Sequence, residues 1–584
     1  MSPIDTPGAA TDPVATGGPT TGRKVLRRAV TGQGRDVALG SLLATGHQAG
    51  EALVPVVIGL VVDRAVATGS ATALTQWLVV LALVFAGLST SFRFAARFGE
   101  RAAERAAHQI RRELTGRVIA PYGGVERGHL PGALVSIATS DASRVGAVNM
   151  AVTAGFAALA ALVTTAVALL HASVPLGLLI LLGAPPVLWI AHLVGGPLQR
   201  RSAAEQENVA YASGVAADLV AGLRVLKGIG AERAAWARYR LINRRSLDAT
   251  LRAANAQAWH DGALIVITGV FITAVALLGA RLAIQGEISI GELIAAVGLA
   301  LFLLNPLSLL SWVNAEFAQA RASADRIAAV HAAAPAVRPG GLAPVSPVRG
   351  ELRFEQVTDG PLRITELRVP AGELLGVVAP DPAAAATLVR CLAREADPEA
   401  GTITLDGIPL ADLDPALVRA AILTASHDAV LFEGSLLDNV ASAGGNVASA
   451  GGGARFDAVL AATTVDQVAA VLPDGMRTPV AERGRSLSGG QRQRIVLARA
   501  LNAEPPVLVV HEPTTAVDTA TEARIASRLR QVRDGRTTVL VTSSPALLAV
   551  TDRVVLLDGD QDPVTGQHHD LVRTHERYRA TVLA

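Results

Sequence analysis

Leu487-Ser488-Gly489-Gly490-Gln491, followed by Arg492-Gln493-Arg494 and the apolar-periodic run IVLARAL, decides how this 584-residue chain is read. A serine followed by two glycines at the start of a helix leaves backbone N–H groups without intrahelical acceptors. The glycines let an anion approach the backbone closely, and the helix dipole favours negative charge at that end. The Ser488 hydroxyl adds a further polar group. Such a turn suits a terminal phosphate, although an ordinary helix cap at Ser488 would look the same locally.

The downstream sequence separates these two readings. A short helix later comes the apolar run VLVVHE at 507–512. Further apolar runs, LLGVVAP, AAILTAS, TTVLVTS and RVVLLDG, alternate with helical segments on both sides of it. Continuous apolar strands between helices predict a mainly parallel α/β sheet over residues 351–584. A Pro- and Gly-rich stretch at 331–350 reads as a linker into it.

The half before the linker has a different character. Six apolar stretches lie at about 38–62, 75–97, 146–170, 174–196, 262–284 and 291–313, each near the ~20 residues that cross a bilayer. Two long polar, Arg-rich stretches, 97–145 and 199–260, separate the second span from the third and the fourth from the fifth. Together with Arg23, Lys24, Arg27 and Arg28 before the first span, they place both termini on the cytoplasmic side. Residues 36–330 are therefore an expected six-helix transmembrane domain with two long cytoplasmic hairpins. Residues 1–35 read as a disordered tail and elbow, with no secretory signal.

Composition agrees. The chain is 51% hydrophobic and 17% charged, with a mean hydropathy of +0.40. A net charge of +2 gives nucleic-acid binding no support. The single cysteine, Cys391, excludes an internal disulfide and reads as buried filler. His47 and Glu51, in the first span, are candidates for a transport pathway or for a buried, paired couple. Aromatic residues make up only 3% of the chain, so a cavity would be lined mostly by Ala, Val and Leu.

The order of these features resembles the ATP-binding-cassette (ABC) exporters, specifically a six-span, multidrug-exporter-like half-transporter. The signature at 487–491 carries the resemblance. Support comes from Gly401–Gly407, Leu431-Phe432-Glu433-Gly434-Ser435, Glu482-Arg483-Gly484 and Thr515-Ala516-Val517-Asp518, and from LPGALVSIATSDASRVG at 130–146 and AGLRVLKGIGAE at 221–232 in the hairpins. The resemblance implies an α/β P-loop-NTPase-like nucleotide-binding domain that uses ATP and Mg²⁺. It also implies pairing with a second half-transporter in the cell membrane.

The chain departs from the family at its phosphate loop. Ala379-Pro380-Asp381-Pro382-Ala383-Ala384-Ala385-Ala386-Thr387 stands where G-x-x-G-x-G-K-[ST] belongs. Ala379, Pro382 and Ala384 replace the glycines, Ala385 the lysine and Ala386 the Mg²⁺-binding hydroxyl. His511 replaces the Mg²⁺-linked aspartate, His427 the glutamine of its loop and Ser543 the switch histidine. Glu512, at the general-base position, is retained and is expected to be inactive here. No metal site is expected at the two histidines.

In this family each ATP lies between one subunit's phosphate loop and the other's signature. The resemblance therefore implies a heterodimer in which Ser488, Gly489, Gly490 and Gln491 serve the partner's ATP, held mainly by the partner, while Asp518 links the two sites. The chain alone is expected to be inactive as an ATPase. A non-transporting scaffold or sensor is the competing class, and an ATP-independent flippase or channel another. The cargo is not legible.

Overall fold

A computed structural model describes residues 21–427, 430–442, 453–481, 484–559 and 561–583. Most of the expected N-terminal tail, and Glu482 and Arg483 of the triplet before the signature, lie outside the described residues. The contacts divide the chain into two units. One runs to Thr115 and resumes over Gly132–Ala332; the other joins Gly116–Pro131 to the chain from Ala333 onward.

The first unit is helical. It comprises α1 (Gly22–Thr31), α2 (Gly34–Val61), α3 (Ala71–Val118), α4 (Pro131–Ser136), α5 (Ala142–Ala172), α6 (Val174–Ala221), α7 (Leu223–Gly228), α8 (Glu232–Ile284) and α9 (Ile290–Ala332). α3, α5, α6, α8 and α9 each contain a stretch long and apolar enough to cross a membrane. α2 carries His47, Gln48 and Glu51 and is less apolar. Its 28 residues still reach about 42 Å, beyond the ~30 Å hydrocarbon core. α8 has 53 residues, about 80 Å, so most of its first half continues past the bilayer as polar helix.

α5 packs along both α2 and α9, and α6 along α8. Leu169, Ile180, Phe271, Val275, Leu299 and Leu303 form the apolar centre of this unit. Polar pairs tie the helices at defined heights. Arg105 meets Asp36 at 2.9 Å, and buried Asp141 accepts from Ser323 (2.9 Å) and from Arg326 Nε and Nη2 (2.7 and 2.5 Å). Asp141 precedes the apolar span of α5. Burial raises its pKa, but the Arg326 and Ser323 hydrogen bonds outweigh it and hold the carboxyl below the usual range.

The second unit contains β1 (Leu352–Asp359), β2 (Leu362–Val369), β3 (Leu374–Val378), α10 (Pro382–Leu392), β4 (Ala400–Leu405), β5 (Ile408–Pro409), α11 (Pro415–Ala421), β6 (Ile422–Ala425), β7 (Gly434–Ser435) and α12 (Leu436–Ala441). It continues with α13 (Ala454–Thr463), α14 (Val465–Ala470), β8 (Pro479–Val480), α15 (Gly489–Asn502), β9 (Val507–His511), α16 (Thr519–Val532), β10 (Thr537–Val541), α17 (Pro545–Leu548), β11 (Arg553–Leu556), β12 (Val564–Gly566), α18 (His568–Thr574) and α19 (Glu576–Val582). The main sheet has the order β12-β11-β3-β10-β9-β6 and is parallel except at β12. Its central strands are buried on both faces, which is why they read as unbroken apolar runs. A second, antiparallel sheet has the order β2-β1-β4-β5. Cys391, on α10, is buried in the core, and burial pushes its thiol up to about 12.

Residues 116–131, the tip of the first polar hairpin, pack into this second unit. Arg117 donates to the carbonyls of Gly123 (3.0 Å) and Ala333 (2.7 Å) and lies over the Tyr122 ring. Ala336 N–H donates to Tyr122 O, and Arg127 to Glu395 O.

Candidate nucleotide site

Ala379 follows β3, Ser543 follows β10, His511 ends β9 and His427 follows β6. These strands are neighbours in the sheet order, so four residues far apart in sequence meet along one carboxyl edge. That edge is where ligands of parallel α/β sheets bind.

The start of α10 holds the first departure. Asp381 caps the helix: its Oδ1 accepts from Ala383 N–H at 2.9 Å. Pro382 at the first helical position has no N–H to offer. Ala384 and Ala385 N–H both donate to the Asp381 carbonyl (3.1 and 3.4 Å). The first turn therefore keeps no free amide for phosphate, and its own carboxylate occupies the anion end of the helix dipole. Ala384, Ala385 and Thr387 are buried, Thr387 at 7% exposure. The residues present do not fit the phosphates of a nucleotide.

At the next strands the His427 and His511 rings meet edge to face, 5.2 Å between centroids. Among the described residues no group of three or more His, Cys, Asp or Glu converges as a metal site. Glu512 has a left-handed backbone (φ 46°), a costly conformation for a non-glycine residue. Its carboxylate accepts from Thr542 Oγ1 (3.1 Å), Ser543 N–H (3.0 Å) and Ser543 Oγ (3.4 Å). Thr542 was not singled out from the sequence. The donor next to it, Ser543, was the available signal.

The signature turn is built differently. Ser488 caps α15 in a reciprocal box: Gln491 N–H donates to Ser488 Oγ (3.3 Å), and Gln491 Oε1 accepts from Ser488 N–H (2.8 Å). The hydroxyl thus accepts within its own helix in this structure. Gly489 and Gly490 open the helix, where amides have no acceptor within it. Gly490 lies so close to Ala516 that an added Cβ would stand 2.5 Å from its carbonyl oxygen. Gln493 accepts from Ala516 N–H (2.8 Å) and donates to Thr515 Oγ1 (2.6 Å). Signature helix and the 515–518 loop are one locked piece, and Gln493, which sequence reasoning passed over, is the lock. Asp518 caps α16 by accepting from Thr521 N–H (2.9 Å), which holds its carboxyl below the usual range.

In the first span, His47 Nδ1 lies 3.0 Å from Leu88 O and His47 Nε2 lies 3.7 Å from Glu51. A cavity of about 550 Å³ opens between α2, α5 and α9, walled mostly by Leu, Val and Ala with Asp63, His171 and Glu292 as its charged or ionisable residues.

Comparisons with known proteins agree with this architecture. Residues 37–307 match the family model of the ABC transporter transmembrane region, and 362–515 that of the ABC transporter. The chain is 31% identical over 552 residues to a multidrug efflux ATP-binding/permease protein of Mycobacterium tuberculosis, a match covering 93% of this chain and 46% of that one. It thus spans about half the length of this relative. An ATP-dependent lipid A-core flippase of Thiobacillus denitrificans is 29% identical over 402 residues, 68% of this chain and 69% of the other. A bacterial Atm1-family ABC exporter solved with ATP bound has the same fold, with a TM-score of 0.70 at 24% identity over 96% of this chain and 98% of that one.

Proposed function

The chain joins the transmembrane region and the nucleotide-binding domain of the ABC transporters in one polypeptide with the exporter fold, and from that premise we propose that it is one half of a heterodimeric, ATP-driven exporter. The observation that carries the proposal is an asymmetry within one domain. The signature turn is preorganised, while the chain's own phosphate loop has its helix-start amides taken by Asp381. Two copies of this chain would contain no competent site. A partner with a complete phosphate loop would supply the lysine, the Mg²⁺ ligand, the general base and the switch histidine. Ser488, Gly489, Gly490 and Gln491 of this chain would complete that site, and Asp518 would link it to the opposite one. Bound there, ATP and Mg²⁺ supply the phosphoryl chemistry.

Coupling to the membrane is supported by the two hairpin tips. The first, 116–131, packs into the chain's own second unit. The second, α7, buries no residue within the chain; it exposes Leu223 and Val225, with Ile229 exposed just after it, a surface suited to the partner's nucleotide-binding domain. The apolar cavity walls, and relatives named for drug efflux and for lipid A-core flipping, support an apolar or amphipathic cargo. His47 and Glu51 are read as a pair within α2, with His47 also reaching the Leu88 carbonyl of α3. Both termini are assigned to the cytoplasm on the Arg-rich hairpins.

The test is ATPase turnover of the purified chain, of its partner half-transporter, and of the two together. Turnover is expected only from the pair. Ser488→Arg, which loses the cap and places a bulky cation at the turn, is expected to lower it by more than about tenfold. Robust hydrolysis by this chain alone, or an unaffected Ser488→Arg pair, refutes the proposal.

A further inference from the structure

We infer that the chain's own half-site holds no nucleotide at all, and that its surface around Asp381 is instead a direct protein contact for the helix that begins at the partner's signature. The inference rests on the heterodimer reading and goes beyond it, since that reading leaves the second site's occupant open.

Three observations carry it. The first turn of α10 has spent its amides: Pro382 has none, Ala383 N–H is held by the Asp381 side chain, and Ala384 and Ala385 N–H by the Asp381 carbonyl. A triphosphate arriving there meets a carboxylate where it needs donors. Second, the lysine position is a buried alanine, Ala385, so the cation that this position supplies in an intact loop is missing beside that carboxylate. Third, the place of the Mg²⁺ ligand is filled by the His511 ring, seated against His427.

Asp381 is exposed and uses one carboxylate oxygen, Oδ1, on Ala383. The other points to a complementary role. A helix N-terminus carries partial positive charge and attracts anions. In a head-to-tail pair the helix start at the partner's signature faces this edge. Asp381 thus supplies from the protein the negative charge that a γ-phosphate supplies in an intact site. Closure on this side needs no ligand, and the pair turns over with one ATP.

Photolabelling of the pair with 8-azido-ATP and Mg²⁺, with the two subunits separated by electrophoresis, tests occupancy. Label on the partner alone is expected. Label on this chain at comparable yield overturns the inference while leaving the heterodimer untouched. Restoring the loop in one variant (Ala379→Gly, Pro382→Gly, Ala384→Gly, Ala385→Lys, Ala386→Ser) is expected to bring label onto this chain, which shows that the probe reports the site. The contact is tested by Asp381→Asn, which keeps a helix cap but removes the charge. It is expected to lower turnover at the partner's site by about threefold or more, from a residue that touches no ATP. Turnover equal to the parent pair overturns the contact. Failure of the heterodimer reading itself shows separately, as an unaffected Ser488→Arg pair.

Discussion

Gly490→Ala isolates the lock between the signature helix and the 515–518 loop. Two effects oppose each other. In a helix, alanine is favoured over glycine by about 1 kcal/mol, so on propensity alone the variant gains stability. The added Cβ, however, would stand 2.5 Å from Ala516 O and 3.3 Å from its carbonyl carbon. An ordinary carbon–oxygen contact is about 3.3 Å, so the Ala516 carbonyl must retreat by roughly 0.8 Å. Overpacking of this kind costs about 1–3 kcal/mol. The retreat also strains the Gln493–Ala516 and Gln493–Thr515 hydrogen bonds, about 0.5–1.5 kcal/mol each. The clash wins. Net destabilisation of about 1–3 kcal/mol is expected for the domain. A signature turn displaced by most of an ångström should cost turnover at least about tenfold in the pair. Gly489→Ala is the internal comparison. Its Cβ would meet only the Ala516 methyl, at 3.2 Å, a neighbour that yields by a few tenths of an ångström. Steady-state ATPase of the pair and thermal unfolding of the chain read both variants. If Gly490→Ala hydrolyses ATP at the parent rate, or if Gly489→Ala is the more damaging, the locked-piece account is wrong.

The remaining predictions concern the membrane unit, the second hairpin and the sheet. The depressed Asp141 carboxyl contributes stability that is present above its unfolded pKa of about 4 and is lost as pH falls through its lower folded value. Thermal unfolding followed down from pH 5 should therefore show an acid-labile component, and Arg326→Leu should flatten it while lowering stability at pH 7 by about 2 kcal/mol or more. In α7, Val225→Asp places a charge on a side chain that is 66% exposed in the isolated chain. Folding should be unchanged within about 0.5 kcal/mol. Transport by the pair should be lost, and retained transport would remove α7 from the coupling surface. Buried Arg533 donates to Thr538 Oγ1 (2.9 Å) and to the carbonyls of Pro505 (2.9 Å) and Thr537 (2.8 Å). Arg533→Leu strands those acceptors, and the nucleotide-binding unit should lose about 3 kcal/mol or more by denaturant unfolding.

By itself the sequence determined what is set within a few residues or by periodicity. Apolar runs of membrane-spanning length marked helices that α3, α5, α6, α8 and α9 supply, because a bilayer demands length and hydropathy regardless of tertiary context. It was blurred at α2, where His47, Gln48 and Glu51 interrupt the run. Buried parallel strands announced themselves as unbroken Val and Leu. The missing glycines and lysine were plain, and Ser488-Gly489-Gly490-Gln491 is a local cap whose bonds span three residues.

Tertiary structure alone decided how the altered residues meet. The strand order β3-β10-β9-β6 sets Ser543 beside Glu512 and His427 beside His511. It also decided that Gln493 fastens Ala516, and that residues 116–131 pack with the chain beyond Ala333. Such pairings join segments distant in sequence, and their energy depends on packing and on which strands become neighbours. No local pattern encodes that.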